Sequence, residues 1–293
     1  HNQPAIAIPF TSAKVAVDIE ETGAPLAIDS LYYQGEMAEA PDSLNNLKET
    51  IDAVTNYLKE SSYGMKITID SNIPAERGMG SSAAVATALV RALFNYFDRE
   101  LTDSLLERFV TISEKIAHGN PSGIDAKVVR ADEAVYFIKN QKADAFDSTI
   151  PAYLVVADTG QEGETKHAVA DVGKLVADKS TKGKEWIENL GELTIQAYEK
   201  IKNKSAKDLG QILSNAQSLL GQLTVSNKKL DYLVETAMAN GALGAKLTGG
   251  GRGGCMIALA ADLADAEKLA NALLDAKAVK TWIHPLGANN DGE

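Results

Sequence analysis

The chain holds a single cysteine, Cys255, in 293 residues, which excludes an internal disulfide and a cysteine-based zinc site. It has no apolar run of about 20 residues, the length a membrane-spanning helix needs, and no secretory signal pattern. Positive charge is scarce: 29 Lys and Arg against 40 Asp and Glu give a formal net charge of −11. Such a field repels nucleic acid and anionic membrane, so a bound phosphate has to be held locally. Internal repeats and low-complexity stretches are missing too. These absences imply a cytoplasmic protein with neither nucleic acid nor membrane as partner. At 45% hydrophobic, the chain is long enough for two ordinary domains and a sizeable core.

Residues 74–86, Pro74-Ala-Glu-Arg-Gly-Met-Gly-Ser-Ser-Ala-Ala-Val-Ala86, carry the strongest signal. Upstream, Met65-Lys-Ile-Thr-Ile-Asp70 alternates with period two, as a half-buried strand does, and Ala83 to Phe97 is apolar enough for a buried helix. The loop between them ends at a helix N-terminus, where unpaired N–H groups and the macrodipole favour an anion. Gly78 and Gly80 allow close approach, and Ser81 or Ser82 can turn a hydroxyl toward a phosphate or its metal. The alternative is a glycine turn with a serine cap. No Lys follows these glycines as in a P-loop, and Gly-x-Gly-x-x-Gly is incomplete, so a different nucleotide fold is implied.

Strands are predicted near Ala5–Ile8, Lys14–Glu20, Tyr153–Asp158, Gly254–Ala260 and Val279–Ile283. Helices are predicted near Leu44–Leu58, Glu185–Lys202, Ala206–Leu223, Asn227–Asn240 and Ala264–Asp275. Ser104 and Glu107 have capping-box spacing for another helix reaching about Ala117. The polar segment Lys139–Ser148 reads as a turn and a domain boundary. The segregation of strands and helices is of α+β type.

In Glu114-Lys-Ile-Ala-His-Gly-Asn-Pro-Ser-Gly-Ile-Asp125 a helix stops at Gly119 and a Pro-Ser-Gly turn delivers Asp125. Helical spacing puts Glu114 at the edge of the apolar stripe, where a magnesium ion or a salt bridge is its partner. Asp125 alone could be a turn-stabilising aspartate, and His118 reads as a helix C-terminal cap rather than a ligand. A third cluster, Lys246-Leu-Thr-Gly-Gly-Gly-Arg-Gly-Gly-Cys255, cannot form a regular element. Such a run signals close approach to another backbone or a ligand, or else a hinge. Cys255 reads as a small buried residue, not a nucleophile.

Taken in order and spacing, the Pro-x-x-x-Gly-x-Gly-Ser-Ser-Ala cradle, the Ile-Ala-His-Gly-Asn-Pro-Ser-Gly-Ile-Asp block and the Thr-Gly-Gly-Gly-x-Gly-Gly loop resemble the motifs of the GHMP kinase superfamily. The second block is particular to its mevalonate kinase family. The resemblance implies a two-domain α+β GHMP kinase-like fold: an N-terminal ATP-binding domain over 1–148 and a ferredoxin-like C-terminal domain over 149–293. It implies ATP and Mg²⁺, with Pro74, Arg77, Gly78, Met79, Gly80, Ser81, Ser82, Ala83 and Gly249 to Gly251 around the nucleotide, and Ser82 and Glu114 as metal ligands. Asp125 matches the aspartate that faces the C5 hydroxyl of mevalonate, as general base or electrostatic orienter, and Thr165 resembles a threonine near mevalonate. The expected reaction is ATP plus (R)-mevalonate giving ADP plus 5-phosphomevalonate, a step of isoprenoid biosynthesis, in a possible homodimer.

Phosphomevalonate kinase, homoserine kinase and a non-catalytic sensor on the same fold are the alternatives. Pro4-Ala-Ile6 looks like the end of the family's first motif, whose upstream lysine and Gly-Glu-His segment would precede His1. An incomplete N-terminus is therefore expected.

Overall fold

The computed structural model describes residues 2–73, 77–118, 133–138, 141, 143–180 and 182–287. Among these, the first half carries strands β1 (Ala5–Ala7), β2 (Val15–Glu21), β3 (Ala27–Ser30), β4 (Gln34–Glu36) and β5 (Met65–Ser71). Its helices are α1 (Asn45–Leu58), α2 (Ser81–Tyr96) and α3 (Asp103–His118). Then come β6 (Ala134–Phe137), β7 (Asp144–Phe146), β8 (Tyr153–Asp158), α4 (Thr165–Ala177), α5 (Gly183–Lys202), α6 (Ala206–Gln222) and α7 (Lys228–Ala239). The chain closes with β9 (Gly244–Leu247), β10 (Cys255–Ala260), α8 (Leu263–Asp275) and β11 (Lys280–Pro285).

Two compact units result, both discontinuous along the chain. One comprises Ala13–Ala75 and Gly80–Asp132, the other His1–Ser12, Glu76–Met79 and Glu133–Glu293. In the first, a sheet in the order β2-β5-β3-β4 has β3 parallel to β5 and its other pairs antiparallel. The period-two reading of β5 holds: Met65, Ile67 and Ile69 are buried, and Lys66, Thr68 and Asp70 are not. They share a core with Leu47, Ile51 and Val54 of α1, Leu89, Val90, Leu93 and Phe94 of α2, and Phe109 of α3. Spacings of three, four and seven residues put each set on one helix face.

The second unit is built on an antiparallel sheet in the order β11-β8-β10-β9. Counted along the chain its strands lie 4-1-3-2, and helices separate the first from the second and the third from the fourth. This is the split β-α-β-β-α-β arrangement of ferredoxin-like domains. Val155, Ala157, Met256 and Ala258 face a core with Leu230, Leu233, Leu269 and Leu273. Leu259 on the other face meets Ile201, Leu209 and Ile212. Coverage on both faces explains why β8 and β10 read as continuous apolar runs rather than alternations. A small sheet, β1-β6-β7, joins the start of the chain to residues 134–146.

Two expectations need correction. The segment read as a turn, Lys139–Ser148, contains β7, paired with β6 through Tyr136↔Asp144. In α3, Ser104 is not the cap: the helix begins at Asp103 and the hydroxyl of Thr102 accepts from Leu105 N at 3.4 Å. Thr102 stands three residues before Leu105, the spacing a capping hydroxyl needs. Among the described residues no helix is long and apolar enough to cross a membrane.

Candidate functional site

Residues 77–79 lie against 248–255 within one unit. Gly78 and Gly249 both have φ +73. A Cβ on Gly78 would stand 2.9 Å from Gly249 Cα, and one on Gly249 2.6 Å from Gly78 Cα. Both the space and the left-handed backbone demand glycine at this crossing. It is fastened by Cys255 N–H donating to Arg77 O at 3.0 Å, with Gly254 packed on the same carbonyl. The Arg77 guanidinium folds back onto the end of β8: Nη2 donates to Gly160 O at 3.3 Å, and Nε lies 3.5 Å from Asp158 Oδ1. Asp158 is almost fully buried and also accepts from Gly160 N at 2.8 Å. Cys255 is fully buried, and burial first, then the Asp158 carboxylate, push its thiol pKa up, against the opposing pull of Arg77. A thiol kept protonated in this way is a packing group, as its sequence context implies.

Every other glycine of this loop is also filled by a neighbour. Gly250 lies against Thr165, Gly251 against Val225 O and Gly253 against Glu162 O. Gly254 N donates to Gln161 O at 2.7 Å, and Thr159 Oγ1 donates to Gly254 O at 2.6 Å. Of the readings left open by the sequence, close approach fits all five glycines: backbone meets Gly249, Gly251, Gly253 and Gly254, and the Thr165 side chain meets Gly250. Thr165 opens α4, a helix that sequence reasoning had not placed, and is exposed at its N-terminus.

In the other unit, Gly80 is the N-cap of α2, in the left-handed conformation with φ 67 and ψ 24, and offers no capping side chain. Ala84 N donates to Gly80 O at 3.0 Å, so the helix ladder starts there. The amides of Ser81, Ser82 and Ala83 precede that first ladder bond, at the positive end of the helix dipole. Ser82 Oγ is buried and finds no hydrogen-bond partner among the described residues. A buried hydroxyl in that condition costs free energy unless a ligand completes it. Ala83 is fully buried below it. Glu114 on α3 is 5% exposed, deeper than the helix edge inferred from spacing, next to Ser113, whose hydroxyl accepts from Asn46 Nδ2 at 3.1 Å.

These features suit a magnesium–nucleotide. Mg²⁺ is held by one or two protein oxygens together with substrate phosphates rather than by an all-protein cage. No group of three or more His, Cys, Asp or Glu side chains that could hold a metal occurs among the described residues. Pro74, Asp125 and the His118 side chain lie outside the described residues. Sequence reasoning missed Asp158 and Arg252 as supports of the loop. The signal for Asp158 was an acid ending the apolar run Tyr153-Leu-Val-Val-Ala-Asp158; nothing local marked the partner of Arg252.

Comparison with known proteins gives a consistent result. Residues 45–129 match the family model for the GHMP kinases N terminal domain and residues 197–279 that for GHMP kinases C terminal. The chain is 32% identical over 252 residues to the mevalonate kinase of Pyrococcus furiosus, covering 84% of this chain and 75% of that one. Its fold matches the crystal structure of L. major mevalonate kinase in complex with R-mevalonate, with TM-score 0.81, 27% identity and coverage of 96% and 89%. Mevalonate kinase from methicillin-resistant Staphylococcus aureus matches with TM-score 0.74, 32% identity and coverage of 98% and 92%.

Proposed function

The chain belongs to the mevalonate kinase family of the GHMP kinases and phosphorylates mevalonate with ATP; from that premise we propose which of its residues carry the transfer. The carrying observation is the uncapped start of α2 at Gly80, with the buried Ser82 hydroxyl lacking a partner among the described residues. Backbone N–H groups from Gly80 to Ala83 hold nucleotide phosphate oxygens, and Gly78, Met79 and Gly249 to Gly251 are further residues proposed to bind the nucleotide. Pro74 is proposed to bind the nucleotide as well. Arg77 is proposed as a nucleotide-binding residue and also supports the crossing of Gly78 with Gly249, its Nη2 donating to Gly160 O and its Nε lying against Asp158.

Ser82 and Glu114 are the proposed ligands of Mg²⁺, which when bound neutralises charge on the phosphates. Asp125 faces the C5 hydroxyl of mevalonate and either takes its proton or orients it, and Thr165 contacts the same substrate. In the transfer, the C5 oxygen bonds to the γ-phosphorus, the bond from that phosphorus to ADP breaks, and the hydroxyl proton leaves to Asp125 or solvent. Positioning and charge neutralisation supply most of the catalysis in such a reaction. A homodimer, a cytoplasmic location and the division into halves 1–148 and 149–293 complete the proposal.

Two substitutions test these roles. Asp125→Asn keeps shape but loses charge and basicity, so turnover is expected to fall by roughly 10²–10⁴ if it is the base, with ATP affinity little changed. Glu114→Gln should raise the Mg²⁺ concentration needed for half-maximal turnover, because an amide is a poorer ligand for a hard cation. Near-normal turnover in the first variant, or an unchanged Mg²⁺ titration in the second, rejects the corresponding role.

A further inference from the structure

Arg252 interrupts the glycines from Gly249 to Gly254, with its backbone in the left-handed region at φ +58. A long L side chain takes that conformation only where surrounding contacts hold it. Here its amide donates to Val225 O at 2.7 Å, Nε to Thr224 O at 3.2 Å and Nη1 to Asp171 Oδ2 at 2.9 Å. Asp171 lies on α4, and its other oxygen accepts from Lys174 Nζ at 2.9 Å. Hydrogen bonds from Lys174 and then Arg252 hold this carboxyl below the usual aspartate range.

Beside these bonds, α4 packs on the core of its unit through a narrow face that includes Val176. Of its 13 residues only Ala168 and Val172 are buried, and its N-cap, Glu164, makes no side-chain capping bond. Its first residue, Thr165, lies against Gly250. The glycine loop therefore grips α4 twice, at Thr165 through the absence of a side chain on Gly250 and, six residues later, through Arg252.

We infer that Arg252 is a positioning residue for the acceptor site: through Asp171 it fixes the rotation of α4 on the glycine loop, and so the direction in which Thr165 presents its hydroxyl. The inference rests on the proposed contact between Thr165 and mevalonate.

The test compares Arg252→Gly, Asp171→Asn, their double variant, Arg252→Lys and Thr165→Ala. Glycine relieves the left-handed backbone at 252, so the Tm of Arg252→Gly should hold or rise while the latch is lost. Exchange of the Ala168 amide, bonded to Glu164 O at 2.9 Å, should quicken roughly two- to five-fold, the range a partly exposed ion pair supplies. The KM for mevalonate should rise by a similar factor with the KM for ATP unchanged. Asp171→Asn should reproduce this pattern, the double variant should be no worse than the worse single one, and Arg252→Lys should recover part of the loss. Unchanged exchange and KM in Arg252→Gly, beside a raised mevalonate KM in Thr165→Ala, overturns the latch alone. An unchanged mevalonate KM in Thr165→Ala overturns the role of Thr165 and with it that of Arg252 at the acceptor site, whatever exchange shows.

Discussion

At the scale of single residues, the decisive contact is Gly78 on Gly249, where two chain segments remote in sequence meet with no room for a methyl group. Gly249→Ala would incur the left-handed cost of about 1–2 kcal/mol and also push on Gly78 Cα. Gly221, near the end of α6 with nothing within 4 Å of its missing Cβ, is the control. Urea unfolding should show a lower midpoint for Gly249→Ala, whereas Gly221→Ala should be neutral or gain up to about 1 kcal/mol from helix propensity. Equal midpoints for the two would mean the crossing tolerates bulk. The sequence marks these glycines as points of close approach because five in six positions serve no regular element. It does not reveal their partners: Thr165, Val225, Glu162 and Arg77 are reached by folding, not by spacing. Asp158 is marked only as an acid ending an apolar run, and its pairing with Arg77 is not marked at all; Asp125, the residue most important to the proposed chemistry, is legible only through its motif.

At the scale of elements, the edge strand β9 shows how the glycine loop is held in register. Leu247 pairs with Met256 of β10, and its outward groups are met by side chains: its N–H donates to Gln217 Oε1 at 2.9 Å and its carbonyl accepts from Lys246 Nζ. Burial lowers the Lys246 pKa from 10.5 to about 8. Between those values the unfolded chain holds a proton that the folded chain has released, so protonation favours unfolding. The contribution of Lys246 to stability therefore grows as pH rises from about 8 to 10.5 and is lost as pH falls through 8. Lys246→Met should shrink the difference in urea midpoint between pH 8 and pH 10; an unaltered difference would mean that Lys246 keeps its ordinary pKa. β9 itself was not legible, and neither were β3, β4, β6 and β7, because three or four residues are too few to show a period; β1, equally short, was read only from the apolar run around it. The long helices α1, α2, α3, α5, α6, α7 and α8 were legible to within a few residues because each repeats its apolar face over several turns. α4 escaped because it buries little.

At the scale of the whole molecule, three hydrophobic clusters stabilise the described residues, one in the first unit and two on the faces of the second unit's larger sheet; length and apolar content implied a sizeable core but not this division. No local pattern says that Ala5–Ala7 will pair with Ala134–Phe137 or that Glu76–Met79 will join the second unit, and these make the units discontinuous. Leu93 and Leu269 are fully buried in different cores, so each change to Ala should cost about 2–5 kcal/mol. With no shared core neighbours, the double variant should equal the sum to within about 0.5 kcal/mol; a larger departure in denaturant unfolding would show that the cores are coupled. With a net charge of −11, the proposed capture of phosphate by helix amides and the buried Ser82 hydroxyl has to be local, and mevalonate receives the phosphoryl group. The most direct test is ADP release by the folded protein with Mg²⁺ and ATP, offered mevalonate, phosphomevalonate, homoserine or galactose in turn. Turnover with mevalonate well above the other three is the predicted result; turnover of another acceptor with mevalonate left untouched would contradict it.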